Sequence, residues 1–239
     1  MADDVKNMNG REVFDYASDR LNLDIGKTGA DKIPEKGACL FVCNHPTGIA
    51  DGIAVYDVIK HIRDDSCFFA NVDICRICPR LEDNVVPVVM PAEERTMESS
   101  KETLRQATQA LKNGRAVVIF PSGSLARKQG GELQEKPWEE TPFTLARKHE
   151  LTIIPVHVAG PSSSLFHFFD LFSKELRDVT LFYEFLNKKE GHYEVTVGKP
   201  VEMDDIDDQD DDELTQALRK FTSQKLGNDP NAEFKVRES

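Results

Sequence analysis

The chain has 239 residues, 39% of them hydrophobic and 30% charged, which fits one globular domain that buries a core without disulfide or metal staples. Its net charge of -12 excludes the basic footprint that nucleic-acid binding requires and leaves any membrane attachment to local patches. No apolar run reaches the roughly 18 residues a spanning helix needs, the charged N-terminal stretch does not read as a secretory signal, and an odd number of cysteines, five, suits a reducing cytoplasm.

Residues 1–37 are polar, with a short amphipathic stretch from Phe14 to Ile25. The apolar run Ala38–Cys43 then reads as a buried strand. Ile53, Ala54, Val55, Val58, Ile59 and Ile62 recur at helical spacing and predict a helix from Asp51 to Ile62. Cys67–Asn71 and Val85–Val89 follow as strands. Thr96 can cap a helix over Met97–Leu111 that Gly114 ends. Arg115–Phe120 is the clearest strand, a helix is expected over Glu139–His149, and Ile153–Val158, Val179–Phe185 and Tyr193–Val197 are further strands. Cys75 and Cys78 form a Cys-x-x-Cys near Cys67, but no further ligands follow at suitable spacing, so they read as free thiols and no metal is implied. After Met203 an acidic run, Asp204–Glu213, reads as a solvated linker, and Leu214–Leu226 as an amphipathic helix.

Strands alternating with helices predict an α/β fold: a single domain whose central mixed or mostly parallel sheet is flanked by helices, with an acidic C-terminal tail and helix. The division is residues 1–37 as an N-terminal polar and helical segment, 38–203 as the main domain and 204–239 as the tail. Ligands in such sheets sit beyond the carboxyl ends of parallel strands, so the segments after Cys43, Phe120 and Val158 are where chemistry is expected.

Asn44-His45-Pro46-Thr47-Gly48-Ile49-Ala50-Asp51 follows the first strand. An imidazole titrates near neutrality and can take a proton from a hydroxyl. Asp51 lies six residues on, about 240° around a helix, so the two cannot share a helical face. The Pro-Thr-Gly between them is turn chemistry that can fold the carboxylate back onto the imidazole. Asp51 would then fix the tautomer and stabilise the imidazolium. The competing reading is that Asp51 only caps the helix and His45 fills a loop. From the residues alone both stand. Phe120-Pro121-Ser122-Gly123-Ser124-Leu125-Ala126-Arg127 follows the later strand. Gly123 admits a close ligand, and the serine hydroxyls, backbone N–H groups and Arg127 could hold a phosphate. Taken by itself this segment reads rather as an ordinary βα turn with an exposed basic residue.

Together the two segments resemble the signature blocks of the glycerolipid acyltransferase family, which includes the lysophosphatidic acid acyltransferases. Its first block is Asn-His-x-x-x-x-Asp and its third Phe-Pro-Glu-Gly-Thr-Arg-Ser. Ile154-Pro155-Val156-His157-Val158 is similar to its fourth, and Arg95, just before a helix, stands where its second carries an arginine. The resemblance covers residues 38–200. It departs in three places: five residues separate His45 from Asp51, Ser122 replaces Glu, and Leu125-Ala126-Arg127 replaces Thr-Arg-Ser. The His-Pro-x-Gly form of the first block resembles a divergent bacterial branch.

The resemblance implies an O-acyltransferase moving a fatty acyl group to the hydroxyl of a glycerolipid or lysolipid acceptor. His45 and Asp51 are its catalytic pair, and Asn44, Arg95, Ser122, Gly123, Ser124 and Arg127 its candidate substrate contacts. It implies no cofactor; acyl-CoA or acyl-acyl-carrier-protein is the co-substrate. An acyl thioesterase and a non-catalytic lipid-binding protein are the alternatives. Leu165–Phe172 holds six large apolar residues of eight and is either core or a lip that receives acyl chains and dips into the membrane, with Lys174, Arg177, Lys188 and Lys189 available to lipid phosphates. The protein is thus expected in the cytoplasm, peripheral to the inner face of the membrane.

Overall fold

The computed structural model describes residue 5 and residues 7–90, 92–124, 126–129, 132–161, 188–206 and 209–236. Its strands are β1 (Asp24–Thr28), β2 (Cys39–Cys43), β3 (Cys67–Asn71), β4 (Val85–Val88), β5 (Ala116–Ile119), β6 (Arg127–Gln129), β7 (Glu132–Gln134), β8 (Thr152–Ala159) and β9 (His192–Val197). The helices are α1 (Gly10–Leu21), α2 (Ile49–Ile59), α3 (Asp73–Ile77), α4 (Met97–Lys112), α5 (Thr141–His149) and α6 (Asp211–Lys220), the last running into a π turn at Phe221–Lys225. Seven strands form one sheet in the order β1-β9-β8-β2-β5-β3-β4, and β6 and β7 form a separate hairpin. Strands β8, β2, β5, β3 and β4 are parallel, whereas β9 and β1 run against them, so the sheet is mixed as expected.

Strand β2 is central and buried at every residue, which is why it reads as an unbroken apolar run. Its alternate residues serve two cores. Cys39, Phe41 and Cys43 pack with Ala54, Val55 and Val58 of α2 on one face. Leu40 and Val42 meet Ala107 and Leu111 of α4, Phe143 of α5 and Leu214 of α6 on the other. The result is a sheet between two helical layers. Helix α4 starts where Thr96 predicts: its hydroxyl accepts from Ser99 N, and the Ser99 hydroxyl accepts from Thr96 N in return.

Several expectations need correction. Helix α2 begins at Ile49 rather than Asp51, because Gly48, at φ 113°, forms its N-cap and Asp51 lies a turn inside. Strand β1 arises in the stretch expected to be polar and helical. Its residues are exposed or half-buried, and its order comes from parallel pairing with β9 rather than from apolar content. The acidic run is more than a linker: Asp210 accepts the N–H groups of Asp212 and Glu213 at the start of α6, and Asp211 pairs with Arg147 at 2.7 Å. Lys188 is buried and donates to the Pro161 carbonyl, so it does not match the lipid-facing role expected of it, whereas Lys189 is exposed and lies 3.5 Å from Glu190. Leu165–Phe172, Lys174, Arg177 and Val179–Phe185 lie outside the described residues.

Candidate active site

His45 and Asp51 meet as the turn chemistry allows. Pro46-Thr47-Gly48 reverses the chain off β2, and His45 Nδ1 lies 3.0 Å from Asp51 Oδ2. That oxygen also accepts Thr47 N at 2.8 Å and Gly48 N at 2.9 Å, while Oδ1 accepts the Thr47 hydroxyl at 2.5 Å. Asp51 is completely buried. A carboxylate can only accept, so Nδ1 carries the proton shared with Asp51 and Nε2 presents its lone pair. Among the described residues nothing bonds Nε2, and the imidazole side chain is 20% exposed. The helix-capping reading is also true, since the bond from Gly48 N satisfies the N-cap donor of α2. One carboxylate holds both the helix start and the imidazole.

Thr47 carries one hydroxyl proton and gives it to Asp51, so Tyr193 Oη, 2.9 Å from Thr47 Oγ1, must donate to it. Tyr193 is fully buried in β9. A chain of hydroxyls therefore supports Asp51 from a residue 146 positions from Thr47.

The segment after β5 holds His45 from the other side. Ala126 N donates to the His45 carbonyl at 3.1 Å, and the Phe120 ring lies 4.5 Å from the imidazole, centroid to centroid. Just past β7, Glu135 Oε1 accepts His45 N at 2.6 Å, and its Oε2 accepts Ser223 Oγ at 3.0 Å and Trp138 Nε1 at 3.3 Å. Burial pushes the Glu135 carboxyl up from the usual range, against the pull of these hydrogen bonds. Burial, followed by the charges of Asp51 and Glu135, also raises the Cys43 thiol well above its ordinary value, so Cys43 is no nucleophile.

The remaining candidates divide. The Asn44 amide is spent on Val158 of β8, donating to its carbonyl at 2.9 Å and accepting its N–H at 2.6 Å. It ties the ends of β2 and β8 together and is itself buried. Ser122 and Ser124 each donate to the other's carbonyl, at 2.8 and 3.4 Å, and so shape their turn. Gly123 occupies φ 58° there, a conformation other residues rarely adopt. Arg95 reaches this turn: a Cβ on Gly123 would stand 3.5 Å from its guanidinium. It is held by both oxygens of Glu139, at 2.7 and 2.8 Å, and by the Val89 carbonyl. Arg127 opens β6, paired with Gln134, and its side chain lies outside the described residues. Sequence reasoning missed Glu135, Glu139 and Tyr193. None has a local signal, because each comes to the site by tertiary packing.

The site is therefore a histidine with a fixed tautomer, anchored at its main chain and ring, at the carboxyl ends of the parallel strands of the sheet. Such a group can take a proton from a hydroxyl and return it to a leaving group. Over 211 residues the chain is 25% identical to a lyso-glycine lipid O-acyltransferase from Phocaeicola vulgatus, covering 85% of this chain and 74% of that one. It is 22% identical to a lyso-glycine lipid O-acyltransferase from Bacteroides thetaiotaomicron, covering 83% and 73%. Its fold is similar to that of the 1-acyl-sn-glycerophosphate (LPA) acyltransferase PlsC from Thermotoga maritima, with a TM-score of 0.55, 17% identity, and 98% and 81% of the two chains covered. The acyltransferase family model matches residues 24–159, more than half of the chain, and includes His45, Asp51 and Glu135. On that match and that geometry, this chain belongs to the acyltransferase family.

Proposed function

We propose that the chain transfers an acyl group from an acyl thioester to the hydroxyl of a lysolipid, with His45 as general base. The observation that carries this reading is His45 Nδ1 held at 3.0 Å by the buried Asp51 carboxylate while Nε2 stays unengaged among the described residues. Nε2 takes the proton of the acceptor hydroxyl as that oxygen attacks the thioester carbonyl carbon. The C–O bond forms, the C–S bond breaks, and the imidazolium returns its proton to the leaving sulfur. Asp51 stabilises the imidazolium in between. The residues assembled here perform this without a covalent acyl-enzyme.

The two relatives named as lyso-glycine lipid O-acyltransferases favour a lysolipid of that kind as acceptor. Acyl-CoA and acyl-acyl-carrier-protein both fit as donor. Both are acidic, so on a chain of net charge -12 they need a local basic patch, for which Arg127 and Lys128 are the candidates. We place the enzyme at the cytoplasmic face of the membrane as a peripheral protein. The test supplies radiolabelled acyl-CoA or acyl-acyl-carrier-protein with lyso-glycine lipid, with lysophosphatidate, or with no acceptor. The expected result is labelled diacyl product with lyso-glycine lipid. Free fatty acid formed at the same rate whether or not an acceptor is present would establish a thioesterase instead.

A further inference from the structure

Of all the groups that hold His45, Glu135 has the least local explanation. It lies 90 residues from His45 in sequence, just after the β6–β7 hairpin, yet it puts a carboxylate oxygen 2.6 Å from the His45 backbone N–H. Taking a carboxylate out of water is costly, and a site tolerates it only where donors satisfy the oxygens. Here three do: the His45 N–H on one oxygen, and the Ser223 hydroxyl and the Trp138 indole on the other. The surroundings are built to hold it. Arg219 donates to the Glu135 carbonyl at 3.3 Å, and Gln216 donates to the Trp138 carbonyl at 3.0 Å. Ser223, Arg219 and Gln216 belong to α6 and the π turn after it, beyond the residues the family model matches. A helix turn widened from α to π is a local departure from regular geometry of the kind that re-aims side chains.

We infer that Glu135 is a positioning residue for His45, fixing the backbone that carries the imidazole and coupling the C-terminal helix to the reaction centre. The bond acts on the main chain, so it sets where the ring stands rather than which tautomer it adopts. Together with the bond from Ala126 N to the His45 carbonyl it takes both main-chain polar groups of His45. Displacing a reacting group by about 1 Å can cost on the order of 10² in rate. The role concerns turnover and leaves substrate binding alone.

This inference rests on His45 being the base, and His45→Ala is the control that separates the two claims. The experiment measures kcat and KM for both substrates in Glu135→Ala, Glu135→Gln and Ser223→Ala, each normalised to folded protein by its unfolding amplitude. Glu135→Ala should lower kcat by about 10²-fold, with both KM values within twofold of wild type. Glu135→Gln keeps an oxygen to accept the His45 N–H, though its NH2 then faces the Trp138 indole N–H, and should recover part of that loss. Ser223→Ala leaves the carboxylate in place with one anchor fewer and should lower kcat severalfold; because it perturbs the core least, it keeps the test decisive if Glu135→Ala does not fold. If His45→Ala is inactive while Glu135→Ala keeps wild-type kcat per folded molecule, Glu135 is only structural. A loss that appears in KM, a glutamine variant no better than alanine, or an unaffected Ser223→Ala would each overturn the proposal.

Discussion

Replacing Asp51 by Asn separates its two jobs. The side chains are nearly the same size, so the buried site can take the amide without a cavity. Its oxygen can occupy the Oδ2 position and accept from His45 Nδ1, Thr47 N and Gly48 N. Its NH2 then faces the Thr47 hydroxyl, which donates to Asp51 in the native protein. Two donors meet, and Thr47 must turn its proton toward Tyr193, which already donates to it. One bond is lost in a buried place, costing about 1–3 kcal/mol, and weaker interaction with the α2 dipole adds about 0.3–1 kcal/mol. The protein should stay folded, with its denaturation midpoint lowered. The catalytic loss is separate. The imidazolium loses a negative charge, an interaction of about 4 kcal/mol at a separation of charge centres of about 4 Å and an effective dielectric constant near 20, or at most about 10³-fold in rate. Denaturant unfolding and acyl transfer per folded molecule measure the two effects independently. We expect a stability loss below about 4 kcal/mol and a fall in kcat of about 10²–10³. A variant that loses that much stability and keeps its specific activity would reduce Asp51 to a helix cap and refute the reasoning.

Three further outcomes follow from the same geometry. Tyr193→Phe removes only the hydroxyl that donates to Thr47, so kcat should fall severalfold with KM unchanged; steady-state kinetics would show no change if the hydroxyl chain has no part in holding Asp51. Asn44→Ala leaves a buried N–H and C=O of Val158 without their partners and should cost about 2–5 kcal/mol in denaturant unfolding, whereas a substrate contact would raise KM with stability intact. Burial lowers the titration of His157, whose Nδ1 donates to the Thr222 carbonyl. The unfolded chain then binds the extra proton first, so stability should hold above about pH 6.5 and decline as pH falls below it, by at most about 1.4 kcal/mol per pH unit from this group. His157→Gln should flatten that limb of the unfolding profile, and an unchanged slope would assign it to other groups.

Much of this architecture is legible in the sequence because β2, β5 and β8 are buried on both faces and so spell themselves as apolar runs. The His45–Asp51 pair is legible for a different reason: Pro46-Thr47-Gly48 is a turn, and its two partners are only six residues apart. What escaped has a physical cause in each case. Strand β1 is an edge strand without an apolar face, and only β9 orders it. The β6–β7 hairpin is made of Arg-Lys-Gln and Glu-Leu-Gln, with no period to detect. Asn44 reads as a motif residue open to substrate, and only the fold shows Val158 taking its amide. Glu135 and Tyr193 reach the site across 90 and 146 residues of chain, by packing that no local pattern announces.

The central claim is that His45 is the base in acyl transfer to a hydroxyl acceptor. Its most direct measurement is the rate of labelled diacyl product formation by His45→Ala, with thioester donor and lysolipid acceptor saturating and folding confirmed by thermal unfolding. His45 is part of a loop rather than of the core, so the variant should fold, and its rate should fall by about 10²–10⁴, as expected when a positioned base is removed. A folded His45→Ala that forms product at the wild-type rate would contradict the account.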